Sequence, residues 1–88
     1  MTVALMWEAK AVPGRGPELH AWARTQPLPG SPTPLRRETF TAPGDRVLVI
    51  TWWDAPYAAE LPELPDPPGH LPARPVHRWR FERTDAEG

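Results

Sequence analysis

The chain of 88 residues contains no cysteine. This absence excludes disulfide bonds, a thiol nucleophile and thiolate metal ligands. A domain this short buries only about 60–65% of the surface that its unfolded chain exposes, so its core is thin. Without disulfides, such domains often gain stability by associating with a second copy.

Long apolar runs are also missing. No stretch approaches the roughly 18–20 apolar residues that are needed to span a bilayer. The N-terminus has no basic segment followed by an apolar run, which a signal peptide would have. These absences predict a cytoplasmic protein with no membrane partner.

An excess of charge of either sign is absent as well. The 10 Lys and Arg residues nearly balance the 11 Asp and Glu residues, which gives a formal net charge of −1. Such a chain has no basic field that would attract nucleic acid. The one local run of arginines, within residues 74–83, falls mostly on a predicted strand that divides it between two faces. We therefore expect no nucleic-acid partner.

The three histidines share no metal-ligand spacing. His20 falls on a predicted helix, His70 in a loop and His77 on a predicted strand. Metal sites take ligands at short, characteristic separations, so we predict no metal, and no other cofactor is expected.

Proline is abundant, with 14 residues, and it removes the backbone donors that helices and sheets need. Two proline-rich stretches, Gln26 to Pro34 and Pro65 to Pro75, are therefore predicted loops. Outside these stretches, residues that alternate with a period of two predict four strands, which are Thr2 to Ala11, Leu35 to Thr41, Arg46 to Trp53 and Val76 to Arg83. Helical spacing predicts two helices, Pro17 to Thr25 and a short one from Ala55 to Leu61 or Leu64.

The predicted order of elements is β-α-β-β-α-β, with a tight turn at Ala42 to Asp45 that joins strands two and three. This order is typical of a ferredoxin-like α+β sandwich, in which a four-stranded antiparallel sheet carries both helices on one face. The whole chain, residues 1–88, is one domain, with an ordered core over about 2–83 and a polar tail at 84–88.

Strand three is apolar on both of its faces. Val47 and Val49 lie on one side, and Leu48, Ile50 and Trp52 lie on the other. Because the two helices cover only one face of the sheet, the other face needs a cover of its own. We predict that a second copy supplies it, which makes the protein a homodimer through the sheet face.

Three short motifs resemble a known family, the antibiotic biosynthesis monooxygenase-like proteins of the dimeric α/β-barrel superfamily. They are strand one with Val12-Pro13-Gly14 and Glu18-Leu19, the hairpin at Pro43-Gly44-Asp45-Arg46, and Val49-Ile50-Thr51-Trp52-Trp53-Asp54-Ala55. The last is similar to the family's pattern of an apolar strand, a Trp, any residue and an Asp at the start of helix two. The resemblance spans about residues 2–83.

The resemblance implies sheet-to-sheet dimers with a ligand cavity between sheet and helices in each subunit. Active members of the family oxidise aromatic polyketides or degrade haem, in several cases without a metal or flavin. Two departures matter: the chain has no asparagine, which family enzymes commonly use, and the position of the family's histidine falls near Leu61. Whether the chain is an enzyme is left open by these departures.

Two functions therefore follow from the resemblance and its departures. One is a small dimeric, cofactor-independent monooxygenase with a pocket for an aromatic or polyketide-type ligand. The other is a non-catalytic dimeric module that binds a small ligand or a partner protein.

Four residues are candidates for the pocket, each with a simpler role beside it. Trp52 matches the family's tryptophan and would form a pocket wall, or else pack in the core or the dimer. Tyr57 would hold a phenolic substrate through its hydroxyl, or be a buried ring with a wet tip. Trp22 would line the cavity or belong to the core. His20 would transfer a proton, since its ordinary pKa lies near neutrality, or face solvent.

The other aromatic residues have simpler predictions. Trp53 faces the opposite side of the strand from Trp52 and is expected at the dimer interface or as a surface cap. Trp7, Trp79 and Phe81 are expected in the core.

Overall fold

The computed structural model describes residues 1–28, 30 and 32–87. It contains β1 (Thr2–Lys10), α1 (Gly16–Thr25), β2 (Arg36–Ala42), β3 (Arg46–Asp54) and β4 (His77–Glu82). The boundaries of these five elements lie within one residue of the predicted ones. Over these described residues the fold is α+β, a four-stranded antiparallel sheet with one helix.

The sheet has the strand order β2-β3-β1-β4, and every neighbouring pair is antiparallel. The long strands β1 and β3 form its centre, paired from Thr2 with Asp54 to Lys10 with Arg46. The predicted turn between β2 and β3 is confirmed. Gly44 and Asp45 both have positive φ there, of 86° and 61°, a backbone region that Gly adopts freely and that Asp tolerates better than most residues.

The main core lies on the face of the sheet that α1 covers, which we call the helix-side face. Leu19 and Ala23 of α1 are fully buried against it. The buried residues that β1 and β3 contribute to this face occupy alternate positions, as strand geometry requires: Val3, Leu5, Trp7, Ala9, Val47, Val49, Thr51 and Trp53.

The prediction of a second helix from Ala55 to Leu61 or Leu64 is wrong. Residues 55–76, which we call the proline-rich segment, contain turns and irregular chain but no helix. Pro56, Pro62 and Pro65 each lack the N–H that an α-helix needs and crowd the preceding turn. Their combined cost outweighs the helical spacing of the apolar residues between them.

The proline-rich segment nevertheless covers the part of the sheet that a second helix would cover. Leu64 packs with Trp7 and Val49 in one cluster. Leu61 packs against a second cluster that contains Trp53 and Val3. An irregular chain thus closes the helix-side face.

Side chains of β4 satisfy the backbone carbonyls that this irregular chain leaves without helical partners. Arg80 Nη1 donates to the carbonyl oxygens of Tyr57 and Ala59 at 2.6 and 2.7 Å. Arg78 Nη1 donates to the carbonyl oxygen of Leu64 at 2.6 Å. The arginines of β4 therefore hold the proline-rich segment on the sheet.

Two predicted loop regions include residues that lie outside the described ones. The loop from Gln26 to Pro34 includes Pro29 and Ser31, and the polar tail at 84–88 includes Gly88. The described residues of both regions form neither helix nor strand. Within the described part of the chain, no helix has the length and apolar character needed to cross a bilayer.

Candidate functional site on the open sheet face

α1 and the apolar residues of the proline-rich segment pack on the helix-side face of the sheet. They leave the opposite face uncovered, and we call it the open face. The strand register aligns three rows of side chains on it. The rows are Arg36, Trp52, Ala4 and Phe81, then Glu38, Ile50, Met6 and Trp79, then Phe40, Leu48, Glu8 and His77. The open face is thus mostly apolar, with charged residues on β1 and β2.

Three large rings of the open face are strongly exposed. Phe40, Trp79 and Phe81 have 43%, 45% and 54% of their surface in water. Since such side chains carry about 150–250 Å² each, the three rings expose about 300 Å² of aromatic surface. A patch of this size is comparable with the largest apolar patch of a typical monomer, which is often functional.

The prediction that Trp79 and Phe81 belong to the core is wrong. β4 is an edge strand, and its inward-facing residues are the arginines that hold the proline-rich segment. Because strand residues alternate, the two rings face the other way, onto the open face. By contrast, Trp7 is buried as expected.

Trp52 and Trp53 do lie on opposite faces, as expected, but the place predicted for Trp53 is wrong. Trp53 is fully buried in the helix-side core, where its Nε1 donates to Thr51 Oγ1 at 2.9 Å. It is therefore neither an interface residue nor a surface cap. Trp52 lies on the open face, where its Nε1 donates to Glu38 Oε1 at 3.0 Å and Arg36 stacks over its ring at 5.5 Å.

Trp22 and Tyr57 lie on the helix side of the sheet, away from Trp52. Trp22 packs against Trp7 with ring centroids 5.9 Å apart. Tyr57 is half exposed, and its hydroxyl donates to the carbonyl oxygen of Arg80 at 3.3 Å. The sheet separates Trp52 from Trp22 and Tyr57, so the three rings do not line one pocket.

His20 lines an open hollow of about 490 Å³ between the start of α1 and the β2–β3 turn. The acid in this hollow, Asp45, already accepts the backbone N–H groups of Gly14 and Gly16 at 3.1 and 3.0 Å. Asp45, which belongs to the β2–β3 turn, therefore caps the start of α1. His20 therefore lines a hollow that none of the three aromatic candidates, Trp22, Trp52 and Tyr57, lines.

A buried carboxylate on the open face was not among the candidates. Glu8 has only 7% of its side chain exposed, and its Oε2 accepts from Arg46 Nε and Arg74 Nη2, both at 3.0 Å. Its Oε1 lies 2.9 Å from Arg74 Nη1 and 3.7 Å from His77 Nδ1. No well-directed hydrogen bond reaches Oε1 among the described residues, so we treat these two contacts as electrostatic.

Opposing effects act on the pKa of Glu8. Burial, the largest single cause, raises it, while the hydrogen bonds and charges of Arg74 and Arg46 lower it. Together the two arginines prevail, and the pKa of Glu8 lies below its ordinary value. The carboxylate is therefore ionised at neutral pH and holds both guanidinium groups in place.

An apolar groove of about 360 Å³ lies beside this cluster on the open face. Phe40 and Trp79 stand on either side, with Leu48 and Met6 between them, and Arg46 and Glu8 also line it. Its volume falls in the range of small-molecule sites.

One signal in the sequence points to this cluster. The opposite charges of Glu8 and Arg46 stand at positions of β1 and β3 that share the parity of Met6, Leu48 and Ile50. If β1 and β3 are paired so that Glu8 lies near Arg46, all five of these residues fall on one face of the sheet. The contribution of Arg74, from an irregular segment, has no comparable signal.

Comparisons with known proteins identify no relative. The chain matches no protein-family model, no curated protein and no solved structure. Among the described residues, no group of three or more His, Cys, Asp and Glu side chains is placed to hold a metal ion. The function therefore has to be argued from the geometry.

Proposed function

We propose that the chain is a small non-catalytic α+β module that self-associates through its open sheet face. The observation that carries the proposal is the exposure of Phe40, Trp79 and Phe81 on one face of an otherwise well-packed sheet. Burial of this aromatic surface against another protein would release it from water.

The area of the face suits a second copy. Four strands spaced about 4.8 Å apart and about seven residues long cover about 400 Å², or about 600 Å² with the relief of the side chains. Specific interfaces bury about 600–1,000 Å² per partner. Self-association through this face therefore meets the lower end of that range.

The charges of the face also suit a second copy. Arg36 pairs with Glu38 at 3.2 Å, and Arg46 pairs with Glu8 at 3.0 Å. Because each of these carboxylates is paired with an arginine of its own copy, most of the charge on two identical faces is compensated before they meet. The exception is the end of the face at Arg46, where Lys10 lies opposite in the strand register and adds a positive charge.

We also propose that the fold is a variant of the ferredoxin-like sandwich. The strand order β2-β3-β1-β4 supports it, and the proline-rich segment would then stand in place of helix two. Membership of the antibiotic biosynthesis monooxygenase-like proteins remains a hypothesis that rests on the three sequence motifs.

The binding module is preferred to the oxygenase because little space remains between the sheet and the proline-rich segment that covers it. The cavity lined there by Trp7, Val49 and Leu64 measures about 10 Å³, about the volume that one water needs. Trp52 and Tyr57, the residues expected to shape the pocket, lie on different sides of the sheet. No observation favours a reaction.

Sedimentation velocity of matched variants tests the proposal. Phe81 and Tyr57 are exposed to 54% and 50%, but only Phe81 lies on the open face. We expect the wild-type protein and Tyr57→Glu to dimerise at about 10–100 µM, the affinity of a modest interface. Phe81→Glu should be monomeric with an unchanged circular dichroism spectrum.

A wild-type protein that stays monomeric at about 100 µM would contradict the proposal. So would a Phe81→Glu variant that dimerises like the wild type, since its new charge would then lie outside the interface.

A further inference from the structure

The groove on the open face has an apolar body and a cationic end. Its body is formed by Phe40, Trp79, Leu48 and Met6. At its end stands Arg46, with half of its side chain exposed. Glu8 also lines this end of the groove, where its carboxylate pairs with Arg46. An apolar site with a few charged groups at one end is typical of small-molecule pockets.

Arg46 is held in a fixed orientation that leaves its two terminal nitrogens free. Its Nε donates to Glu8 Oε2 at 3.0 Å. Neither Nη atom of Arg46 has a hydrogen-bond partner within the described part of the chain. A guanidinium that is oriented in advance loses less entropy when it binds a ligand.

The charges around Glu8 leave a positive surplus at this end of the groove. The single carboxylate of Glu8 faces two guanidinium groups, those of Arg46 and Arg74. Lys10 lies directly opposite Arg46 in the strand register and adds another positive charge nearby. A negatively charged group is favoured here and a cation is disfavoured.

We infer that the groove binds a small amphipathic carboxylate, a ligand class that combines an apolar body with one terminal carboxylate. The apolar body lies between Phe40 and Trp79 and contacts Leu48. The carboxylate accepts from the free Nη atoms of Arg46, a geometry that matches the planar fork of a guanidinium. The step is reversible binding, and no bond of the ligand is made or broken.

This inference rests on the proposed function in one respect. A second copy bound to the open face would cover the groove and enclose the ligand. The apolar walls and the anchor belong to one chain, so the carboxylate preference belongs to each copy. Binding and self-association are therefore measured separately.

Two-dimensional NMR of the ¹⁵N-labelled protein tests the inference with 4-phenylbutyrate as the probe. Each of the five tryptophans gives its own indole N–H signal. We expect the Trp79 signal to shift on titration, with a Kd of about 0.1–1 mM, while the signal of buried Trp53 stays in place. The neutral analogue 4-phenylbutanol should bind at least about tenfold more weakly.

Two variants of equal charge change complete the test. Arg46→Gln should abolish the preference for the acid over the alcohol. Arg24→Gln removes an exposed arginine of α1, on the other side of the sheet, and should leave the affinity within about twofold of wild type.

Equal affinities for acid and alcohol would overturn the inference, as would an unchanged preference in Arg46→Gln. The absence of any Trp79 shift at about 5 mM probe would overturn it as well. Sedimentation velocity of the same samples reports the oligomeric state. A monomer that binds the acid selectively refutes only the proposed self-association, and a dimer that fails to bind it refutes only the inference.

Discussion

The two faces of the sheet both carry large apolar side chains but are covered differently. On the helix-side face, Trp53 and Val49 are buried beneath α1 and the proline-rich segment. On the open face, Phe81 and Trp79 keep about half of their surface in water. α1 and the proline-rich segment cover the first of these faces, and the second is the surface through which we propose that two copies associate.

The largest expected difference between the faces concerns their tryptophans. Trp53→Ala removes a fully buried ring and should cost about 3–5 kcal/mol of unfolding free energy through lost burial and the cavity that remains. Trp79→Ala removes a half-exposed ring and should cost less than about 1 kcal/mol in the monomer. Urea denaturation at low protein concentration measures both.

A milder variant guards against loss of folding in Trp53→Ala. Trp53→Phe keeps part of the packing and should lie between the other two variants. Similar costs for Trp53→Ala and Trp79→Ala would mean that the two faces are equally buried in the monomer, which would contradict the comparison.

Neighbouring arginines of β2 provide a second, smaller contrast. Arg37 faces the helix side and donates to the carbonyl oxygens of Ala23 and Gln26 at 2.7 and 2.6 Å, at the end of α1, where carbonyls lack helical partners. Burial lowers the pKa of Arg37. Arg37→Gln should destabilise the protein by about 2 kcal/mol.

Arg36, the next residue, is the matched control on the open face. It is 65% exposed and pairs with Glu38, and exposed pairs of this kind contribute about 0–1 kcal/mol. Arg36→Gln should therefore change the unfolding free energy by less than about 0.5 kcal/mol. Thermal and urea unfolding that ranked Arg36→Gln as the costlier variant would reverse the assignment of the two faces.

A smaller effect than that of Arg37→Gln is expected at Glu8, a buried charge of the open face. Because its folded-state pKa is lowered, its contribution to stability is present above its unfolded pKa of about 4.3. That contribution is lost as the pH falls through the lower, folded-state value. Glu8→Gln should cost about 1 kcal/mol at pH 7 and should flatten the acid side of the stability profile.

Glu18 also contributes to the acid dependence of the unfolding free energy. Its pKa is also lowered, by hydrogen bonds from His70 and Arg15, so some acid dependence will remain in Glu8→Gln. Urea denaturation at a series of acid pH values separates the two contributions. An unchanged slope in Glu8→Gln would show that Glu8 titrates alike in the folded and unfolded chain.

The sequence allowed the strands and the first helix to be predicted closely, because alternation and helical spacing are local properties. β4 was expected from Val76 to Arg83 and is His77–Glu82. The prediction of the second helix was wrong because the apolar spacing favoured a helix while the prolines disfavoured one. The prolines prevailed, and without a helix Leu64 is buried and Leu61 is partly buried.

The candidate site was harder to predict, because alternation states which residues share a face but not which face is covered. Trp52 and Trp53 were separated correctly, but Trp53 was placed at an interface or surface and is fully buried. Trp52 does not share a pocket with Trp22 and Tyr57, and its alternative role in the dimer stays a prediction. The cluster around Glu8 depends on contacts between distant parts of the chain, and the reach of Arg74 from an irregular segment follows from no local pattern.

The most direct test of the open face as the site of self-association is an isotope-filtered NOE experiment on a mixture of labelled and unlabelled copies. The account predicts intermolecular contacts from the rings of Trp79 and Phe81 to the side chains of Met6 and Ile50 in the other copy. Intermolecular contacts confined to the outer surface of α1 or to the proline-rich segment would contradict it.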